Sequence, residues 1–394
     1  MGNLTRRGVL ASSAATVATA LTGGFATKAR AAEPIKLGAS LSLTGRFSDS
    51  AKYCQEGYLL WSEQANAKGG IGGRPVQVVI YDDESNPDTG RVLAERLIDR
   101  DGATVILGPY SSPITDAMAT AVERAQVPMI GTIASDSSIW NRRKLRWSFQ
   151  GFPSSDYDHE GFLAIVKEKG GGVKKLAIVY EEAPFSIAAK DWGVQKAKEM
   201  GLMVEAYGYN PGAQDFRSII ERMVAAGTEI VSMGGYYQPS IALTRQMAER
   251  GFNPVAYHFI QAADGVTKDA LGANAEGVFG RSAWEASIET PANKAFVEAY
   301  KARFNRIPSY HSAAAYATGQ VFEAAIKAKG PDRAAIREFL ATSGAESVLG
   351  TFKTNAKGQQ EGYHYVATQW QGGSSHVVGG RSEHPVIWPK PKWS

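Results

Sequence analysis

Strand-like and helix-like segments alternate along this chain, and that alternation limits the architectures it can form. Ile35–Leu41 and residues 76–81 are short, apolar and rich in β-branched side chains, which is typical of buried strands, and residues 89–100 have a helical composition. The same cycle resumes at residues 176–180 and continues to residue 260. Because strand–helix–strand units with short connections place their strands in parallel, we expect an α/β fold whose sheets are covered by helices on both faces.

The alternation falls into two series, separated by a break at residues 150–154, and each series predicts one open α/β lobe. A helical section after residue 280 predicts that the chain then returns to the first lobe. The predicted divisions are an export signal at 1–31, an N-terminal lobe at 32–151 plus 283–346, a C-terminal lobe at 152–282 plus 347–378, and a Pro/Trp-rich tail at 379–394.

The first 31 residues have the order of an export signal. Paired arginines at positions 6 and 7 precede a weakly apolar stretch at 11–21, and Ala-Arg-Ala follows at 29–31. The paired arginines favour the twin-arginine route, with cleavage after Ala31 or one residue later. We therefore expect a soluble periplasmic protein. The alternative is an exposed amphipathic N-terminal helix on a cytoplasmic protein.

Charge and cysteine content exclude several classes. The net charge is +4, and residues 1–31 carry four basic and no acidic residues, so they account for the whole excess. A nucleic-acid partner attracted by bulk charge is therefore not expected. Cys54 is the only cysteine, so no disulfide forms within the chain, and a small buried apolar role is expected for it.

The chain lacks the common catalytic and cofactor motifs. It has no G-x-S-x-G, H-E-x-x-H or G-x-x-x-x-G-K-[ST] sequence, and its six histidines show no paired metal-ligand spacing. We expect no enzyme activity, no metal and no cofactor. An exported enzyme would need a nucleophile and base that the sequence does not present.

Polar and aromatic residues follow the predicted strands, where open α/β sheets bind ligands. The candidate residues are Phe47, Tyr110, Ser111, Ser112, Ile133 and Ser135 in the first series, and Phe185, Tyr236 and Asp264 in the second. Hydroxyls at helix N-termini suit a carboxylate, and aromatic rings with one acid suit an ammonium group, so the set predicts a small zwitterionic ligand. Taken singly, the serines are also typical N-caps, the rings typical loop packing, and Asp264 a typical turn residue or arginine partner.

Six segments together resemble the type I periplasmic solute-binding proteins of ABC transporters, in the group that binds leucine, isoleucine and valine. They are residues 36–45, 66–75, 82–83, 108–112, 127–130 and 234–236, of which N-A-K-G-G-I-G-G-R-P at 66–75 is the most specific. The resemblance implies two Rossmann-like lobes joined by three crossings, with the ligand held between them.

Matched residue by residue, the resemblance also implies a binding site. It puts the ligand carboxylate near Ser111, Ser112 and Ser135, and the ammonium near the carbonyl of Ile133 and the carboxylate of Asp264. Phe47, Tyr110, Phe185 and Tyr236 would line the pocket. The chain departs from the family in having Asp264 where Glu is frequent, and Phe47 and Phe185 where Tyr is common, so its pocket is more apolar.

The expected function is the substrate-binding component of an ABC importer. It would capture a branched-chain or other apolar or aromatic amino acid by lobe closure and deliver it, as a monomer, to a permease in the inner membrane. The alternatives are an amide, urea or aromatic carboxylate as ligand, or a ligand sensor with the same fold.

Overall fold

The strands form two large sheets and one two-stranded pair in a computed structural model, which describes residues 32–380 and 382–393. The strands are β1 (Ile35–Leu41), β2 (Val76–Asp82), β3 (Val105–Leu107), β4 (Met129–Gly131), β5 (Ser148–Gln150), β6 (Lys175–Glu181), β7 (Met203–Tyr209), β8 (Ile230–Gly234), β9 (Ala256–Phe259), β10 (Phe279–Ser282), β11 (Ala345–Ser347), β12 (Gly350–Phe352), β13 (Val366–Gln371) and β14 (Ser374–Val377). The predicted export signal, residues 1–31, lies outside the described residues.

Helices follow most of these strands. They are α1 (Ser48–Ala67), α2 (Pro87–Asp99), α3 (Ser112–Ala125), α4 (Ser138–Arg142), α5 (Glu160–Lys169), α6 (Pro184–Glu199), α7 (Arg217–Ala225), α8 (Tyr237–Glu249), α9 (Val266–Leu271), α10 (Pro291–Phe304), α11 (Tyr310–Lys329) and α12 (Arg333–Thr342). Among the described residues, no helix has both the length and the apolar character needed to cross a bilayer.

The sheet topology confirms the predicted α/β fold with parallel strands. The first sheet has the order β2-β1-β3-β4-β5, and all its pairs are parallel. The second has the order β14-β13-β10-β9-β8-β6-β7, with parallel pairs from β10 to β7. β13 and β14 add an antiparallel edge. Each parallel sheet brings the carboxyl ends of its strands to one edge.

The chain passes three times between the two sheets, after β5, after β10 and between β12 and β13. Two lobes result, as the family resemblance implied. The lobe boundaries given above stay predictions. Val348, Phe352 and Tyr363 pack in the hydrophobic core of the first lobe, which also contains residues of α10, α11 and α12.

The glycine run that precedes β2 is a turn rather than a phosphate-binding loop. Gly69, Gly70, Gly72 and Gly73 all have positive φ. A Cβ on Gly70 would lie 2.0 Å from the carbonyl oxygen of Arg74, so only glycine fits there. The run reverses the chain between α1 and β2 and fixes their relative positions.

The Pro/Trp-rich tail packs against the second lobe. The Lys390 N–H donates to the Val255 carbonyl at 2.9 Å, and the Trp393 N–H donates to Asn253 Oδ1 at 2.8 Å. The Trp393 ring lies 5.6 Å from that of Tyr257, within the second hydrophobic core. The tail is therefore part of the folded lobe.

Helices α1 and α11 approach closely because small residues face each other between them. A Cβ built on Gly57 would lie 2.3 Å from the Ser312 carbonyl oxygen, and one on Gly319 would lie 2.2 Å from the Trp61 ring. Trp61 is fully buried, and its indole N–H donates to Glu323 at 2.9 Å. The indole therefore occupies the space that a side chain at Gly319 would need.

We expect Gly319→Ala to lower the free energy of unfolding by about 1–3 kcal/mol, because overpacking outweighs the gain in helix propensity. Gly171→Ala is the control, since a Cβ there meets no atom within 4 Å. Its effect should stay below about 0.5 kcal/mol in urea denaturation. Equal effects of the two variants would contradict the close-packing argument.

Candidate functional site

The loops that follow parallel strands of both sheets meet at one small cavity. It encloses about 20 Å³, which is room for about one water molecule. Its lining residues are Tyr110, Ser111, Ser112, Ile133, Ser135, Phe185, Tyr236, Ile260, Gln261, Arg281 and Tyr310. Seven of the nine predicted site residues are in this set, and only Phe47 and Asp264 are not.

The first lobe contributes hydroxyl groups at the N-terminus of α3. Ser111 is the N-cap residue, but its side chain makes no capping hydrogen bond. Its hydroxyl has no hydrogen bond of standard geometry, although the Tyr236 hydroxyl is close enough to interact with it. The Ser112 hydroxyl accepts from the Asp136 N–H at 3.3 Å. Ser111 is thus not used as a side-chain cap, and its hydroxyl lies beside that of Tyr236.

Aromatic rings from both lobes pack together beside these serines. Tyr236 is the centre, with ring centroids 4.6 Å from Phe47, 4.8 Å from Phe185 and 6.2 Å from Tyr110. Phe47 lies one layer behind the cavity wall. Burial raises the pKa of Tyr236 well above its ordinary value, so this hydroxyl stays protonated.

Polar contacts also span the cleft. Arg46 in the first lobe donates to Glu181 in the second at 2.6 Å, and its guanidinium lies 4.8 Å from the Tyr236 ring centroid. Burial raises the pKa of Glu181, and Arg46 opposes that shift. Gln238 donates to Asp49 across the same gap. These contacts join the lobes around the ring cluster.

Asp264 faces a histidine rather than the cavity. Its carboxylate lies 3.1 Å from Nδ1 of His311, and both side chains are buried. His311 belongs to α11 in the first lobe, so this pair also spans the cleft. The role predicted for Asp264, binding a ligand ammonium, stays a prediction. In this structure its carboxylate pairs with His311 instead.

Arg281, at the carboxyl end of β10, lines the cavity and was missed in the sequence. It is 6% exposed, and its Nε–H donates to Asp158 Oδ1 at 2.7 Å. Burial alone would lower the pKa of Arg281, but Asp158 and the neighbouring tyrosines raise it by more than that. The net shift is upward, so the guanidinium is charged. Its signal in the sequence was a charged residue after the short apolar run Val278–Gly280, a run not recognised as a strand.

Gln261, Ile260 and Tyr310 were missed as well. Gln261 directly follows the segment predicted as the strand at 255–260, so its position did carry a signal. Its Nε2 donates to the Tyr110 hydroxyl at 2.7 Å, and its Oε1 is buried without a partner. Tyr310 begins α11, which follows another helix rather than a strand, so no strand end places it here.

A larger groove of about 620 Å³ lies along the crossing segments, lined by polar residues that include Asp156, Glu160 and Glu361. No carboxyl end of a described strand in the second sheet contributes to this groove, whereas ligands of open α/β sheets bind at those ends. The small cavity is where strand ends of both sheets meet, and we take it as the candidate site. Within residues 32–380 and 382–393, no group of three or more His, Cys, Asp or Glu is placed to hold a metal ion.

Comparison with known proteins gives the same architecture. A family described as periplasmic binding protein matches residues 34–374. The chain is 28% identical over 374 residues to the Leu/Ile/Val-binding protein homolog 7 of Brucella suis, covering 89% of this chain and 92% of the relative.

Two solved structures are similar throughout. One is the branched-chain amino acid transporter substrate binding protein of Streptococcus pneumoniae in complex with isoleucine, with TM-score 0.80, 21% identity, and 88% and 99% of the two chains covered. The other is a Rhodopseudomonas palustris solute binding protein in complex with benzoate, with TM-score 0.79, 20% identity, and 88% and 96% covered. At these identities the likeness establishes the fold.

Glu285, on the crossing segment after β10, should make the stability of the fold depend on pH. Burial raises its pKa from 4.5 to about 8, with Ser282 opposing the shift and Asp264 adding to it. The unfolded chain loses this proton near pH 4.5 and the folded chain only near pH 8. The stabilisation from a raised pKa is therefore complete below pH 4.5 and is lost as the pH rises to 8.

We therefore expect Glu285→Gln to be more stable than the unchanged protein at pH 8, with a difference that shrinks towards pH 5. Urea denaturation at pH 5, 6.5 and 8 measures this, with Glu289→Gln, on the exposed part of the same segment, as control. A Glu285→Gln variant with the same pH profile as the unchanged protein would contradict the burial of an acid here.

Proposed function

Because this chain belongs to the periplasmic binding protein family, we propose that it captures a small carboxylate-bearing solute between its lobes and delivers it to an ABC permease. The observation that carries the proposal is the enclosed cavity where strand ends of both sheets meet. Its walls combine aromatic rings, hydroxyls and one buried cation. That combination suits a compact ligand with an apolar body and an anionic end.

Capture would work through lobe closure. The cavity, at about 20 Å³, is far smaller than an amino acid or an aromatic acid, so a ligand must reach the site while the lobes are apart. A ligand that touches both lobes makes its full set of contacts only when they close, and it therefore shifts the equilibrium towards the closed state. The Arg46–Glu181 pair and the ring cluster would then close over it.

The names of the relatives bear on the ligand. One is a Leu/Ile/Val-binding homologue, and the two structures hold isoleucine and benzoate. These ligands share a carboxylate and an apolar body. An amino acid is the ligand predicted from sequence, and it would need Asp264 to leave His311 and face the ammonium. Delivery to a permease implies a protein that works outside the cytoplasm, in agreement with the predicted signal at residues 1–31.

Thermal denaturation of the protein, refolded free of ligand, tests the proposal. The panel would pair apolar amino acids and aromatic acids with the corresponding alcohols and amides, which lack the carboxylate. We expect carboxylates alone to stabilise, by about 2.7 kcal/mol at a hundred times Kd. A panel in which no carboxylate stabilises the protein would contradict the proposal.

Two variants on one helix locate the binding site. Phe185 lines the cavity at the start of α6, and Ile187, two residues later, is 38% exposed. We expect Phe185→Ala to weaken binding at least about tenfold through lost apolar contact, and Ile187→Ala to leave it unchanged. Uptake of the bound solute by cells with and without the gene then tests delivery.

A further inference from the structure

We propose that Arg281 binds the ligand carboxylate from the second lobe, and that the ligand is a small apolar acid without an ammonium group. The inference rests on the proposed function and names its substrate class. It departs from the amino acid predicted from sequence, and it assigns specificity to a residue outside the predicted set.

Arg281 has a donor that the protein leaves unsatisfied. Its side chain is nine-tenths buried, and its Nε–H is used by Asp158 at 2.7 Å, but Nη1 is buried and has no partner. A buried guanidinium N–H without an acceptor is costly, and Arg281 lines the cavity. An acceptor supplied by a ligand removes that cost, and a carboxylate is the acceptor that a guanidinium binds best.

Neighbouring rings hold the guanidinium in place. Its central carbon lies 4.4 Å from the ring centroid of Tyr365, 5.5 Å from that of Phe152 and 5.7 Å from that of Tyr310. Cation–π contacts and the Asp158 pair therefore fix the orientation before any ligand arrives. Little conformational entropy is therefore lost when Nη1 of Arg281 donates to a ligand, and this favours affinity.

The opposite wall supplies the other half of the carboxylate site. Ser111, Ser112 and Ser135 line the same cavity from the first lobe, at and near the N-terminus of α3. A carboxylate between these hydroxyls and Arg281 is bound by both lobes at once. That bridging gives an anionic ligand a direct means of favouring closure.

No carboxylate from the described part of the chain lines the cavity to pair with an ammonium group. Three acids around the cavity each pair with a cation or a histidine: Glu181 with Arg46, Asp158 with Arg281, and Asp264 with His311. A buried ammonium without a counter-ion is strongly unfavourable. Among the lining residues, Gln261 carries an amide oxygen, Oε1, without a partner; it is neutral and suits a ligand hydroxyl.

Calorimetry with matched ligand pairs tests the substrate class. Each pair shares the same apolar body and carboxylate and differs in the α-amine: phenylalanine with 3-phenylpropanoate, and leucine with 4-methylpentanoate, with benzoate as a further acid. We expect at least one of the three acids without the amine to bind. In any pair whose acid binds, the acid should bind at least about 100-fold more tightly than its amino acid.

Four variants test the residue. Arg281→Met should weaken binding of the preferred acid at least about 100-fold, and Arg281→Lys by about tenfold, because lysine keeps the charge and loses the planar fork. Asp158→Asn keeps the guanidinium and removes the charge of its protein partner, so binding should hold or tighten. Arg303→Met, at an exposed ion pair with Glu63, is the control. Should Arg281→Met fail to fold, Arg281→Lys decides: weaker binding of the acid with an unchanged melting temperature of the ligand-free protein supports the proposal, and unchanged binding overturns it.

The outcomes separate the two proposals. Binding of amino acids with no binding of the matched acids, together with loss of affinity in Asp264→Asn, overturns this inference and leaves the proposed function in place. Unchanged affinity in a folded Arg281→Met variant also overturns it. If no carboxylate of any kind binds, the proposed function fails with it.

Discussion

Parallel strand pairing is the constraint on which the site depends. It brings the carboxyl ends of β1, β3 and β4 to one edge of the first sheet, and those of β6, β8 and β9 to one edge of the second. Three crossings then turn the two edges towards each other. Loops that are distant along the chain therefore meet, and residues as far apart as Arg46 and Glu181 become partners. The helices cover the faces of the sheets, so the edges are where side chains of both lobes are free to converge.

Sequence periodicity predicted the long elements well, because each buries a face or a stripe that repeats along the chain. The predicted β1, at Ile35–Leu41, agrees residue for residue with the structure. Several of the elements it missed are short, but α5, with ten residues and a buried stripe at Phe162, Leu163, Ile165 and Val166, was missed as well. β5 and β10 have three and four residues, too few for a period to appear, and the antiparallel β14 ends before the glycine pair at 379–380. Because β10 was missed, Arg281, which lies on that strand, was not predicted as a site residue.

The candidate site was predictable as far as strand ends define it. Tyr110 and Ser135, three and four residues after β3 and β4, line the cavity, and their role in binding a ligand stays a prediction. What sequence does not contain is the identity of a partner on another element. Asp264 follows its strand as predicted, but His311 reaches it from a helix of the other lobe. That contact forms only when the two lobes pack together. The local sequence pattern therefore could not show which acids in the cleft already have a partner.

The aromatic rings and the buried polar groups of the closed cleft should contribute differently to ligand binding. Phe47, Phe185 and Tyr236 already pack on one another, so a ligand body that parts them exchanges ring–ring contacts for ring–ligand contacts. Such an exchange gains less than the burial of rings from water, and it discriminates weakly among apolar bodies. The buried Nη1 of Arg281 and Oε1 of Gln261 differ, because neither has a partner among the described residues of the protein. A site that must satisfy polar groups rejects ligands lacking them far more strongly than an apolar wall rejects a missing methylene. We therefore expect the protein to discriminate strongly between ligands that differ at the polar end, and weakly between ligands that differ in the apolar body.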